Sequence, residues 1–280
     1  MTNAVEVNGL TKRYGNFMLD GISFNVPRGF ICGFIGQNGA GKTTTLKLML
    51  NMAVRDGGEV KILGRDDVSV RGDIGALFDR PCFQDEWTPK DIEKALRPFC
   101  KQWNGTAYWR YIRRFELNPK QKVKTLSRGM KTKLGMAVTL SYNAKLLLLD
   151  EPTSGLDPVM RDEMLDILRE YMETEGRTVL FSTHITGDLE KIADYIVYID
   201  KGKVLYSGLK DELIEKYCVV RGGKGDLPPG KRVIGLREHV GGFEGMVETA
   251  DIGGFPPGAV TEAVTLDDIM IYMNRGGDKS

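Results

Sequence analysis

Residues 36–44 read GQNGAGKTT, and from Gly36 to Thr43 they fit the phosphate-loop spacing G-x-x-x-x-G-K-[ST]. Glycine at positions 36, 39 and 41 lets the backbone curl so that successive N–H groups point inward. With Asn38 and Ala40 between them, the loop becomes a cradle for phosphate oxygens at a helix N-terminus. Lys42 would bring a point charge to the β- and γ-phosphates, Thr43 a hydroxyl to Mg²⁺, and Thr44 one more phosphate contact. A second chemical segment, LLLLDE at 146–151, is an apolar run ending in two carboxylates. Asp150 would hold Mg²⁺ through a water as a partner of Thr43, and Glu151, one residue further, would orient an attacking water. The substrate class implied is a nucleoside triphosphate.

These groups need elements to position them. FICGFIG (30–36) is a short apolar run ending in glycine, as in a buried strand, and TTTLKLMLNM after the loop has helical spacing. Strand, glycine loop, helix is the context a phosphate loop requires, and it weakens the alternative of a glycine turn capping an ordinary helix. Residues 4–8 and 22–26 alternate like half-buried strands, with a turn-rich KRYGNFMLDG between them. VKILG (60–64), IGALF (74–78), KLLLLD (145–150) and TVLFST (178–183) read as further strands, KLLLLD as a parallel central one and TVLFST as another buried one. YIVYID and KVLYSG, split by Lys201 and Gly202, read as a hairpin. From about 85 to 124 the texture is aromatic, basic and helical. With the helix expected from 126 onward, it suggests a helical lobe over about 85–140. After about 215 the composition shifts, RGGKGDLPPG (221–230) looks like a loop, and TLDDIMIYMNRG has Thr265 as a helix cap with Asp268 three residues on. The expected division is a main domain over 1–215 and a small appendage over 216–280.

Bulk composition narrows the field. A hydrophobic fraction of 41% and a charged fraction of 28% are those of a globular chain with a sizeable core. A net charge of +1 gives no case for a nucleic-acid surface. Cys32, Cys82, Cys100 and Cys218 are scattered without a CxxC, which reads as unpaired thiols in a reducing compartment. Neither His184 nor His239 has a partner at metal-ligand spacing. The N-terminus shows no signal pattern, and no apolar run approaches the ~20 residues of a membrane span, so the chain is expected to be soluble.

LSRGMK (126–131), followed by LDEPTSGLD around Glu151, completes an ordered set of motifs over roughly residues 3–215. In this the chain resembles the nucleotide-binding subunits of ABC transporters. The resemblance implies an α/β phosphate-loop (P-loop) NTPase fold of the ABC type. Its parts would be a mixed central sheet, an N-terminal antiparallel β subdomain, a helical insertion lobe and, here, a small C-terminal α+β appendage. It also implies two such domains facing head to tail around two ATP. Under the resemblance Tyr14 is the aromatic that stacks on adenine. Ser127 and Gly129 belong to the signature loop that caps the γ-phosphate held by the opposite subunit. Ser154, Gly155, Leu156 and Asp157 form the loop that crosses the dimer interface. His184 becomes the switch histidine contacting the γ-phosphate and the catalytic carboxylate's loop.

Two departures from the family's pattern stand out. The signature usually reads LSGGQ, and here Arg128 and Met130 replace glycine and glutamine. The loop after IGALF usually carries a glutamine, and here Asp79 stands there, expected still to touch the metal site directly or through water. Both departures, and the C-terminal helix, resemble the exporter branch that includes bacteriocin- and peptide-antibiotic-efflux ATPases. The resemblance therefore implies an ATPase using ATP and Mg²⁺, with Glu151, His184 and Lys42 as catalytic groups. Its partners would be a separately encoded multi-span permease and a second ATPase subunit, a homodimer needing no special assumption, with no nucleic acid. It would be cytoplasmic, peripheral on the inner face of the membrane. The lobe would carry the permease groove, with Trp87, Phe99, Trp103, Tyr108, Trp109 and Tyr111 as candidate interface aromatics. Three other readings share these motifs: an importer subunit, a soluble ABC ATPase, and an ATP-dependent sensor with little turnover.

Overall fold

The computed structural model describes residues 2–66, 68–79 and 83–276. Cys82 lies outside them, and among the described residues no disulfide forms. They divide into two compact units, one within 1–184 together with Val197–Ser207, the other Ile185–Ile196 together with the described residues from Gly208 onward.

In the first unit, β1 (Asn3–Tyr14) and β2 (Phe17–Pro27) pair antiparallel and meet at a two-residue turn, Tyr14 facing Phe17. The sequence reads as turn-rich over 12–21, yet most of that stretch is strand. Gly9 and Gly21, at φ 60° and 61°, sit inside the strands, where the register slips, and the Gly9 N–H donates to Ser23 Oγ at 2.8 Å. They act as bulges, which is the other use a sheet has for glycine. After the loop comes α1 (Lys42–Met49), then β4 (Gly57–Ile62), which pairs with β1 to give the order β2-β1-β4.

The larger sheet is built from continuous apolar runs, which suit strands buried on both faces. β3 (Ile31–Ile35), β5 (Ile74–Leu77), β6 (Leu146–Asp150) and β7 (Thr178–Thr183) run parallel. β8 (Tyr195–Asp200) and β9 (Lys203–Leu209) extend the sheet as a hairpin, in the order β5-β6-β7-β3-β8-β9. Parallel strands end on one edge, so Gly36, Asp79, Asp150, Glu151 and His184 all emerge there. That edge is where open α/β sheets place ligands.

The lobe contains α2 (Pro89–Leu96), α3 (Gly105–Arg114) and α4 (Arg128–Leu140). Thr88 and Asp91 form a capping box on α2, Asn104 caps α3, and the Ser127 hydroxyl caps α4 by accepting from the Met130 N–H at 3.2 Å. Most of the lobe's candidate interface aromatics serve packing. Tyr108 and Tyr111 are buried, Tyr108 donates to the Pro89 carbonyl at 2.8 Å, and Trp103 packs on Tyr108 and Tyr142, whereas Phe99 is 87% exposed. α5 (Pro158–Met172), capped by Asp157, is tied to the lobe by Arg114, which pairs with Glu163 at 3.0 Å and Glu170 at 2.7 Å.

In the second unit, β10 (Tyr217–Gly222), β11 (Ile234–His239), β12 (Gly242–Glu248) and β13 (Val260–Ala263) form a sheet in the order β11-β12-β10-β13. Its core is Cys218, Val220, Phe243 and Val247. Alongside lie α6 (Thr186–Ile192), α7 (Lys210–Glu215) and α8 (Leu266–Gly276). The expected cap of α8 is present: Asp268 Oδ2 accepts from the Thr265 N–H at 3.0 Å, and Thr265 Oγ1 from the Asp268 N–H at 3.1 Å. The Leu266 N–H donates to Glu190 Oε1 at 2.7 Å, joining α8 to α6.

Candidate functional site

The loop between β3 and α1 takes its shape from close approaches that only glycine permits. A Cβ at Gly36 would stand 2.2 Å from the Ile199 carbonyl oxygen. Gly41, which caps α1 at φ 116°, would put one 2.6 Å from Leu19 Cδ2. Gly36→Ala is therefore expected to destabilise the fold by about 2–3 kcal/mol through overpacking. A thermal melt checks it, and an unchanged midpoint would contradict the close approach.

The loop opens into a cavity of 680 Å³, lined by Gln37, Asn38, Gly39, Gly41, Lys42, Thr43 and Thr44. Lys42 is buried, and its ammonium donates to the carbonyls of Gly36 at 2.6 Å and Gln37 at 3.2 Å. Burial pushes its pKa down, while the carboxylates of Glu151 and Asp150 oppose that shift. Glu151 Oε1 lies 3.7 Å from the ammonium.

From the ends of β6 and β7 come the groups facing the loop. Asp150 is buried and doubly held: Thr43 Oγ1 donates to Oδ2 at 2.7 Å and Ser182 Oγ to Oδ1 at 2.5 Å. Glu151 follows at φ 53°, a left-handed backbone uncommon for a residue with a side chain. Its N–H donates to the Ser182 carbonyl at 2.9 Å, and its carboxylate reaches His184 Nδ1 at 2.8 Å. Lys42, Thr43, Asp150, Glu151 and His184 thus share one wall system.

Asp79, Arg128 and Ser154 also line the cavity. Arg128 Nη2 donates to Asp79 Oδ1 at 2.6 Å and to Ser154 Oγ at 3.1 Å. Tyr14 does not line it. Tyr14 is 47% exposed, with the Lys12 ammonium over its ring, and the aromatic in the wall is its cross-strand partner Phe17. Gly36 and Ala40 shape the loop from behind, and Ser127 and Gly129 stand outside the cavity. A Cβ at Gly129 would come 3.1 Å from the Gly155 carbonyl oxygen, so the signature loop lies against the loop expected at the interface.

Among the described residues no three His, Cys, Asp or Glu side chains gather as a metal-holding group. A hydroxyl and a carboxylate held together, as in Thr43 and Asp150, are nevertheless the oxygen donors that Mg²⁺ takes when it keeps waters and substrate phosphates. The residues fit that ion.

Comparison with known proteins gives the chain's relatives. The family model described as "ABC transporter" matches residues 19–154. The uncharacterized ABC transporter ATP-binding protein YcbN of Bacillus subtilis is 35% identical over 212 residues, covering 73% of this chain and 69% of the relative. The lantibiotic transport ATP-binding protein SrtF of Streptococcus pyogenes is 32% identical over 207 residues, covering 72% and 89%. The bacitracin transport ATP-binding protein BcrA of Bacillus licheniformis is 32% identical over 213 residues, covering 73% and 69%. A solved ATP-binding subunit of an ABC transporter superposes with a TM-score of 0.67 at 27% identity, covering 76% of this chain and 92% of that one.

Proposed function

This chain belongs to the ABC transporter ATP-binding family, and we propose that within it the chain is the ATP-hydrolysing motor of an exporter. The observation that carries the reading is the meeting of Lys42, Thr43, Asp150, Glu151 and His184 at one cavity from the ends of three parallel strands. In this reading Glu151 takes the proton of the attacking water and His184 holds the Glu151 carboxylate in place. Lys42 and the loop N–H groups stabilise charge on the transferring phosphoryl group. Thr43 and Asp150 would hold Mg²⁺, which when bound neutralises charge on the phosphates, and Asp79 faces the same space. Tyr14 is taken as the aromatic that stacks on adenine, although Phe17 is the one that lines the cavity.

The signature residues Ser127 and Gly129 are outside their own chain's cavity, which favours a role at the nucleotide of a second subunit, most simply another copy of this chain. ATP bridging two subunits favours the closed state differentially, and hydrolysis reopens it. The ATPase domain is taken as 1–215 and the appendage as 216–280.

No helix among the described residues is long and apolar enough to cross a membrane. By analogy with its relatives, we take the transport path to belong to a separate multi-span permease, with this chain peripheral on the inner membrane face. A cavity of 650 Å³ between the end of β5 and the lobe, walled by Leu77, Phe78, Phe83, Leu96 and Val138, is apolar enough to seat a permease helix. The exporter branch is favoured by the relatives named for lantibiotic and bacitracin transport.

The test is to tag the chain in its native cell, solubilise gently and identify what co-purifies. A multi-span membrane protein is the expected result. Ribosomes, DNA or only soluble proteins would end the transport reading and leave the ATPase chemistry standing. Phosphate release by the purified complex distinguishes a motor from a slow sensor.

A further inference from the structure

The two positions at which the chain departs from the family's usual motifs touch each other. Arg128 and Asp79 are 49 residues apart in sequence, and Nη2 of the one lies 2.6 Å from Oδ1 of the other. The same nitrogen reaches Ser154 Oγ, and the arginine stem passes over Gly155, within 3.4 Å of where a Cβ would be. One side chain at the start of α4 therefore bridges two loops, the one after β5 and the one after β6. Asp79 shares the walls of both large cavities with Thr43 and Asp150, so its carboxylate stands on the side where Mg²⁺ is expected.

We propose that Arg128 is a positioning residue for Asp79: by anchoring Oδ1 it fixes the carboxylate with Oδ2 turned toward the metal side of the triphosphate site. An aspartate is shorter than the glutamine usual at this place, and the guanidinium compensates by fixing where the short arm points. A planar, permanently charged fork that can hold a carboxylate and a hydroxyl together suits that task. The inference rests on the ATP-binding reading given above.

The sign of one effect separates positioning from plain charge. Near an acidic metal site, deleting a cation should by Coulomb attraction alone tighten Mg²⁺ binding. If Arg128 works by orienting Asp79, deleting it loosens Mg²⁺ binding instead.

The experiment is an equilibrium titration with Mg²⁺ of ATP binding to the full chain, followed with a fluorescent ATP analogue. It uses the wild type, Arg128→Met, Asp79→Asn and the double variant. Both single variants are expected to raise the Mg²⁺ midpoint about two- to fivefold, the range for a partly exposed ion pair. The double variant should go no further than the larger single change, because both break one unit. A midpoint that falls or stays put in Arg128→Met overturns the inference, and so does an additive double variant. Thermal melts report folding, and Arg128→Gln replaces Arg128→Met if the latter does not fold. A wild type showing no Mg²⁺-dependent ATP binding would sink the ATP-binding reading itself, a result distinct from either.

Discussion

Glu151→Gln lowers ATP turnover by about three orders of magnitude and leaves ATP bound: this is the largest expected effect of any single change in the chain. Proton abstraction by a positioned side chain contributes roughly 10²–10⁴-fold, and glutamine keeps the shape while losing the base. The surroundings are arranged for the carboxylate. His184 Nδ1 lies 2.8 Å from Oε2 and the Lys42 ammonium 3.7 Å from Oε1, on a left-handed backbone at φ 53°. Binding should survive because Lys42 and the loop are untouched. Removing a negative charge close to the γ-phosphate reduces repulsion, so ATP should be held longer. In the dimeric reading the variant accumulates as an ATP-bound dimer, visible by size-exclusion chromatography with ATP and Mg²⁺. Turnover like the wild type's, with contaminating ATPase excluded, removes Glu151 from its role. His184→Ala tests the same contact from the other side and should cost less, since it removes the orienting group and spares the base.

The site was legible in the sequence where its chemistry is local. The phosphate loop is one uninterrupted segment, and Asp150 with Glu151 directly ends an apolar run, so strand direction alone brings them to the same edge. His184 is legible for the same reason, at the end of TVLFST. The Thr265–Asp268 cap spans three residues and needs no tertiary knowledge. What escaped reading is non-local or depends on how glycine is used. Gly21 closes the turn-rich stretch in sequence but, like Gly9, serves as a bulge, so the hairpin turn falls next to Tyr14, and Phe17 rather than Tyr14 enters the wall. The length of β1 and β2 fixes that placement, and no local signal carries it. The pairing of Arg128 with Asp79 depends on the loop after β5 and the start of α4 meeting in space, so each reads from sequence as an isolated oddity. The sheet order of the second unit is equally hidden. Its strands are short and partly exposed, and partner choice among such strands rests on long-range packing.

Removing Lys42 should act on binding rather than on the chemical step alone. Lys42→Ala is expected to weaken ATP binding roughly tenfold to a hundredfold, since hydrogen bonds to charged groups contribute about 1.5–3 kcal/mol. The ammonium donates to the Gly36 and Gln37 carbonyls, and buried as it is, it stands against the carboxylates of Asp150 and Glu151. Deleting it leaves those carboxylates facing the phosphates with less compensation, so repulsion adds to the lost contact. The penalty should grow with phosphate charge near the lysine, making the loss larger for ATP than for ADP and flattening the preference between them. Stability should change little, because a desolvated cation is removed while two carbonyls lose a donor. Lys42→Met separates the two contributions: it retains most of the stem's packing, so it should melt closer to the wild type and yet bind ATP as poorly as the alanine variant. Isothermal titration with ATP and ADP in parallel gives both ratios. An ATP affinity equal to the wild type's in a properly folded variant would mean that the cradle works without its lysine.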